Sequence, residues 1–453
     1  MNMSPFNNRA GFSRVVLILI LPFFFLVVAY GVYRLFFMPD PVVDGLAGLE
    51  LLSADTTVQL SSENIKAITI TVYQDGNEVS LLTDRPVTAQ KAYTLHIKPG
   101  EMGLADGKAF ITVKAEGGIL KKVQYDLEAV IDTAPPVLDV IAATSIVYQG
   151  GGGFAVMRAA GEDSVVVRLV EKGKETEEQD YRAFRVAPGG PAPEAVRSQA
   201  GSVYYAFFPA PFGIGENSVF YAVATDRAGN QSIRSLPSSL KPKQYDSSSI
   251  TIDDGFITRV VSPLLNETEV ADPEAAFRKV NEEWRQKSLE ALAEISKNTE
   301  PVMLWKGSFL QLKNSKVMAT YGDQRTYRYQ GKDISRSVHL GYDLASFARA
   351  PAEAANDGLI RYADDLSIYG NTVIIDHGMG LMSLYGHLSS IAVAAGEEVK
   401  KGQIIGTTGA TGLAGGDHLH FGILIQGVEV SPLYWWDKNW IKTNVLDLIL
   451  PGS

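Results

Sequence analysis

Apolar residues change their spacing several times along the chain, and each change marks a different kind of element. From Val15 to Tyr33 they run on without a charged residue. At ~1.5 Å per residue this run spans about 28 Å, enough for a membrane-crossing helix that tolerates Pro22. From residue 45 to about 245 the apolar positions alternate with polar ones or gather in short β-branched runs. Examples are Ile65–Tyr73 ahead of Asp75-Gly76, Phe110–Lys114 ahead of Gly117-Gly118, and Ser164–Val170. Short strands closed at regular intervals by turn signals predict two β-sandwiches, over 45–133 and 134–245, with the paired prolines of Asp132-Thr-Ala-Pro-Pro136 at the junction. The glycines 150–153 lack a following Gly-Lys-Ser/Thr and read as a hairpin loop, not a phosphate cradle. Residues 246–300 have a different texture. Asp272 as a cap, Pro273 in the first turn, and Phe277, Val280, Trp284, Ala291 and Ile295 at helical spacing predict an amphipathic helix over 272–297. Such a helix either packs on a neighbouring domain or covers an active site. Strand patterns return in 301–453, at Asn371–Asp376, Ser383–His387 and His418–Ile425.

The chain thus reads as mainly β, with 453 residues divided among several domains. Its net charge of −10, without long basic runs, argues against nucleic-acid partners. Arg9 and Arg14 precede the apolar run, whereas Asp40, Asp44 and Glu50 follow it, which leaves 1–14 as a cytoplasmic tail, 15–33 as an anchor and the remainder exported. A cleaved signal peptide is the alternative, although Tyr30-Gly-Val-Tyr-Arg34 is a poor cleavage site. The closing stretch of the second sandwich, Tyr221–Asn230, and its Asp132–Pro136 start resemble bacterial immunoglobulin-like repeats.

The chain has no cysteine, so any metal must be held by His, Asp or Glu. Of its six histidines, five lie in the last 115 residues, in the settings His339-Leu-Gly-Tyr-Asp343, Asp376-His-Gly378, Tyr385-Gly-His387 and His418-Leu-His420. H-x-x-x-D followed by H-x-H supplies two imidazoles and a carboxylate for a tetrahedral metal, with imidazoles to spare for acid–base work. If 418–425 is a strand, alternation puts His418, His420, Gly422 and Leu424 on a site face and Leu419, Phe421, Ile423 and Ile425 on a core face. The same alternation groups Ser383, Tyr385 and His387, leaving Tyr385 free either to orient substrate or to pack. His377 reads as a turn residue near the groove, His96 as a sandwich residue, and Trp435, Trp436 and Trp440 as core. Lys313, Lys316, Arg325, Arg328, Lys332 and Arg336 read as a solvated face.

Five blocks in order, His339–Asp343, Ala350–Asp364, Tyr369–Ser389, Gly396–Gly412 and His418–Ile423, make residues 302–436 resemble the lysostaphin/LytM-type zinc metalloendopeptidases. The resemblance implies that His339, Asp343 and His420 bind one Zn2+ and that His387 and His418 flank the reacting water. It also implies a C-terminal antiparallel β domain of the duplicated hybrid type, with its site in a groove and the peptide part of peptidoglycan as substrate. All five positions carry the expected residue, unlike relatives that have lost metal ligands and activate other wall hydrolases. Gly422, where many relatives carry Glu, and Gly416-Asp417 ahead of His418 are departures that bear on substrate preference. The expected protein is an endopeptidase held at the inner membrane by its single span, with its catalytic domain periplasmic or wall-facing. Its sandwiches are available to cell-envelope partners. The competing expectation is a non-catalytic or weakly active regulator of other wall hydrolases.

Overall fold

The computed structural model describes residues 22–33, 39–88, 90–117, 121–173, 178–193 and 199–450. Of the expected anchor, 22–33 is helical and largely exposed, and 15–21 lies outside the described residues. Among the described residues no helix is long and apolar enough to cross a membrane.

Two compact units are present, one of 1–135 with 227–230, the other of 136–226 with 231–453. In the first, a three-stranded and a five-stranded sheet enclose one core. The alternation read from the sequence is the cause: the strand Gly107–Glu116 buries Ala109, Ile111, Val113 and Ala115 and turns the residues between them outward or to partial exposure. His96 hydrogen-bonds Thr57 across this unit's three-stranded sheet.

The second unit opens with two four-stranded sheets around their own core. Strand β1 (Gly151–Ala160) is buried on both faces. Ala155, Met157 and Ala159 face the sandwich core. Phe154 and Val156 join a second core shared with Trp305, Trp435, Phe421 and Ile425 of the C-terminal domain. The glycine run is therefore the start of a buried strand and not a loop. Gly150, at φ +72°, makes the turn. A Cβ on Gly152 would stand 2.3 Å from Ile425 Cδ1 and 3.1 Å from the Phe208 carbonyl oxygen. Gln426 ties the same junction, accepting from Arg182 N and donating to the carbonyls of Arg182 and Phe207.

Strand β2 (Ser247–Ile252) leaves the sandwich and pairs in parallel with β3 (Gln324–Tyr329), which pairs antiparallel with β4 (Lys332–Val338). The intervening helix begins as expected, with the Asp272 carboxylate accepting from Ala275 N and Pro273 in the first turn of α1 (Pro273–Arg278). A π-helical segment, Lys279–Trp284, precedes α2 (Arg285–Ser296). Phe277 and Val280 are buried and Trp284, Ala291 and Ile295 pack partly buried against the same core, with Ser288, Leu292 and Ser296 buried beside them. The C-terminal domain is built on an eight-stranded sheet containing β5 (Tyr342–Ala345), β6 (Asn371–Asp376), β7 (Leu381–Gly386), β8 (Leu419–Ile425) and β9 (Val428–Val430), all paired antiparallel. Its core face carries Leu419, Phe421, Ile423 and Ile425. The opposite face is site only at its His418 end. Farther along, Leu424, Met382 and Leu384 lie under Phe277, Val280 and Leu292 of the helix.

Valine ordinarily favours a strand, yet Gly152→Val is expected to destabilise the folded chain by about 1–3 kcal/mol through overpacking against Ile425. Urea unfolding measures this, and an unchanged or raised midpoint would contradict the shared core.

Candidate functional site

Register builds the site. On β8, His420 lies opposite Asp343 of β5 on one side and Gly386 of β7 on the other. Because Tyr342 and Leu344 face the core, Asp343 between them points at His420. His339 approaches from the turn before β5. Its backbone N donates to Asp323 O, and Gly341 lets the chain pass His420, since a Cβ there would stand 2.5 Å from the imidazole.

Three atoms converge as a result. His339 Nε2 lies 2.9 Å from Asp343 Oδ1 and 3.0 Å from His420 Nδ1, and the last two are 3.1 Å apart. One face of a tetrahedron with ~2.0–2.1 Å metal bonds has edges of about 3.3 Å, so the triangle fits a zinc ion with only slight expansion. His339 Nδ1 sits 3.0 Å from Thr320 O, to which it donates, and this fixes the tautomer that leaves Nε2 with its lone pair. His420 is buried, which pulls its imidazole down to about 4 and keeps the ring neutral at neutral pH. Burial alone would raise Asp343, but the neighbouring imidazoles His339, His418 and His420 hold its carboxyl well below the usual range. Its second oxygen accepts from Arg325 Nη2 at 3.1 Å, and Arg325 Nε donates to Asp323, which accepts from Ser248 on β2.

His387 and His418 flank this triangle with ring centroids 4.8 Å apart. Each is anchored through Nδ1, at 2.8 Å from Thr411 O and Gly416 O respectively, which turns Nε2 away from the backbone towards the triangle and the groove. His418 Nε2 is 3.4 Å from Asp343 Oδ1. Burial takes His387 well below the ordinary imidazole value. Burial also acts to lower His418, but the Asp343 carboxylate outweighs it and the net shift is upward.

The grouping of Ser383, Tyr385 and His387 is not observed. Strand β7 ends at Gly386, and His387 adopts a left-handed conformation, φ +62°, that turns its side chain back to the face of His420. Tyr385 stays in the core with its hydroxyl accepting from Ala355 N. His377 is also internal, bonded to Asp357 O and to Ser383 Oγ, each at 2.7 Å. Arg325 departs from the solvated face expected of its basic run. The site opens into a groove of about 450 Å3 whose walls include Ser248, Ile250, Phe277, Arg285, Met318 and Tyr369. The Tyr369 ring packs on the His420 imidazole with centroids 5.3 Å apart. Tyr369 opens one of the five resembling blocks but had no role marked there, and nothing in its local spacing marks Arg285.

A buried His, Asp, His triangle beside two further imidazoles in an open groove has the make-up of a mononuclear metallohydrolase centre. Residues 337–432 match Peptidase family M23, and this part of the chain is a domain of that family. Over 96 residues, 21% of this chain and 22% of the relative, it is 40% identical to the DD-carboxypeptidase/endopeptidase Mpg of Neisseria meningitidis. Over 117 residues, 26% of each, it is 33% identical to the peptidoglycan DD-endopeptidase ShyC of Vibrio cholerae. Over 115 residues, 25% of this chain and 26% of the relative, it is 42% identical to the murein hydrolase activator EnvC of Escherichia coli. The chain thus spans about a quarter of the length of these curated relatives.

Burial lowers the His377 imidazole to about 4, against ~6.5 when unfolded. Between these values the unfolded chain binds the extra proton, so stability falls as pH drops through this window. Urea unfolding of the metal-free chain from pH 7 to 4.5 is expected to show roughly 2–3 kcal/mol more loss in the parent than in His377→Gln. Parallel profiles would show that His377 is not held neutral by the core.

Proposed function

We propose that this chain is a membrane-anchored zinc metalloendopeptidase that hydrolyses peptide cross-links of peptidoglycan. The observation that carries the reading is the assembly of His339, Asp343 and His420 into one metal-sized triangle with His387 and His418 beside it. His339 Nε2, Asp343 Oδ1 and His420 Nδ1 would hold the zinc, which supplies a Lewis acid for the scissile carbonyl and for water. Arg325 fixes the Asp343 carboxylate so that Oδ1 is the oxygen turned to the triangle. His387 and His418 present Nε2 to the groove. One accepts the proton of the attacking water and passes it to the leaving amine, and the other donates a hydrogen bond to the oxygen that becomes negative. The names of Mpg and ShyC favour a D,D-peptide bond as the one cut.

The apolar run 15–33, with positive residues before it and acidic ones after it, supports a single span in the inner membrane and an extracytoplasmic catalytic domain. The two sandwiches act in this reading as immunoglobulin-like modules open to cell-envelope partners. A second reading, an activator of other wall hydrolases, is favoured by the likeness to EnvC. Retention of all five site residues favours the enzyme.

Release of new amino groups from purified peptidoglycan by the zinc-loaded chain separates the two. Release is expected from the parent, with His418→Ala slower by about 10²-fold or more. No release from a folded, zinc-loaded parent would overturn the enzyme in favour of the activator.

A further inference from the structure

The charged side chains lining the groove, other than its histidines, are Arg285, Asp323, Arg325 and Asp343. Three of them satisfy one another: Arg325 bridges Asp323 and Asp343. Arg285 has no carboxylate partner among the described residues. Its Nε donates to Asn281 O at 3.1 Å and its Nη2 to Asn281 Oδ1 at 2.8 Å. A guanidinium has five N–H donors, so most of this one is unused. Nor is it a loose surface arginine. Asn281 is 1% exposed and donates to Ser335 Oγ of β4 at 2.8 Å, which fixes both the helix and the side chain it holds. Glu429 is buried behind Tyr369 and accepts from the Tyr369 hydroxyl; it feels the Arg285 charge through space but makes no hydrogen bond or ion pair with it.

The groove's charge follows from these pairings. Among the lining side chains the two aspartates and two arginines cancel, so a dication on the triangle would leave the groove wall net positive and suited to an anionic ligand. A preorganised guanidinium with free donors is matched by a planar carboxylate, which it can bind through two parallel hydrogen bonds. We infer that Arg285 is a specificity-determining residue that selects peptides bearing a free carboxylate beside the bond to be cut. The inference rests on the peptidase reading above and adds to it the substrate chemistry and the residue that reads it. Arg285 comes from the linker helix, outside residues 337–432. The linker is thereby part of the recognition surface and not only a connector.

The test uses the full-length, zinc-loaded chain and three synthetic D,D-linked stem-peptide dimers: one with free carboxylates, one amidated at the C-terminal carboxylate and one amidated at the side-chain carboxylate. The parent is expected to prefer the free form over at least one amide by tenfold or more in kcat/KM. Arg285→Gln is expected to bring that preference to about one, through KM more than kcat, and Arg285→Lys to restore part of it. The amide that loses the preference identifies the carboxylate read. A preference that survives in folded Arg285→Gln, or a parent with no preference, would overturn the inference. So would equal losses on all three peptides, the mark of a merely structural role. If the parent turns over none of them, the peptidase reading fails separately, and equilibrium binding of the same three peptides to the parent and Arg285→Gln gives the same ratio.

Discussion

The site depends on the register of one strand pair, Asp343 of β5 opposite His420 of β8. Side chains alternate faces along a strand, so a slip of one residue would send His420 into the aromatic core and bring Leu419 or Phe421 to the metal side. What holds the register is burial on the other face. Tyr342 and Leu344 on β5, and Leu419, Phe421 and Ile423 on β8, share one core with Trp305 and Trp435. The hydrophobic effect therefore fixes the geometry of the triangle, because each apolar residue placed inward fixes a polar neighbour outward.

Around this pair, segments distant in sequence supply what the sheet alone does not. The second sandwich is fused to the C-terminal domain through β1, whose glycines let two backbones and the Ile425 side chain approach closely. Strand β2 and the β3–β4 hairpin bring Ser248, Asp323 and Arg325 in a hydrogen-bonded chain to the ligand Asp343. The helix covers the far end of the site face with Leu292 and brings Phe277 and Arg285 to the groove. The His339–Asp343–His420 triangle, its support and the groove wall thus come from separate parts of a single compact unit.

Much of this was legible in the sequence, and the misses share a cause. The spacings H-x-x-x-D and H-x-H in a chain without cysteine offered two imidazoles and a carboxylate, and the family resemblance picked out His339, Asp343 and His420, the three that converge. The core face of β8 could be read because four alternate residues are uniformly apolar. Local periodicity gave a false answer wherever one backbone residue left the regular pattern. A left-handed His387 reversed the side expected from Tyr385. Tertiary approach was silent in the sequence. Gly150–Gly153 resembles a loop until Ile425 and Tyr434 are seen against it, and Arg325 resembles its exposed neighbours until it meets Asp343.

The proposed function stands or falls with the binding of one zinc by His339, Asp343 and His420 together. The direct measurement is a zinc titration of the metal-free chain, with His420→Ala in parallel and the fold of each checked by circular dichroism. One tight equivalent in the parent, with a raised thermal midpoint, and loss of tight binding in the folded variant is the result predicted. Equal stoichiometry and affinity in His420→Ala would contradict it and place the metal elsewhere.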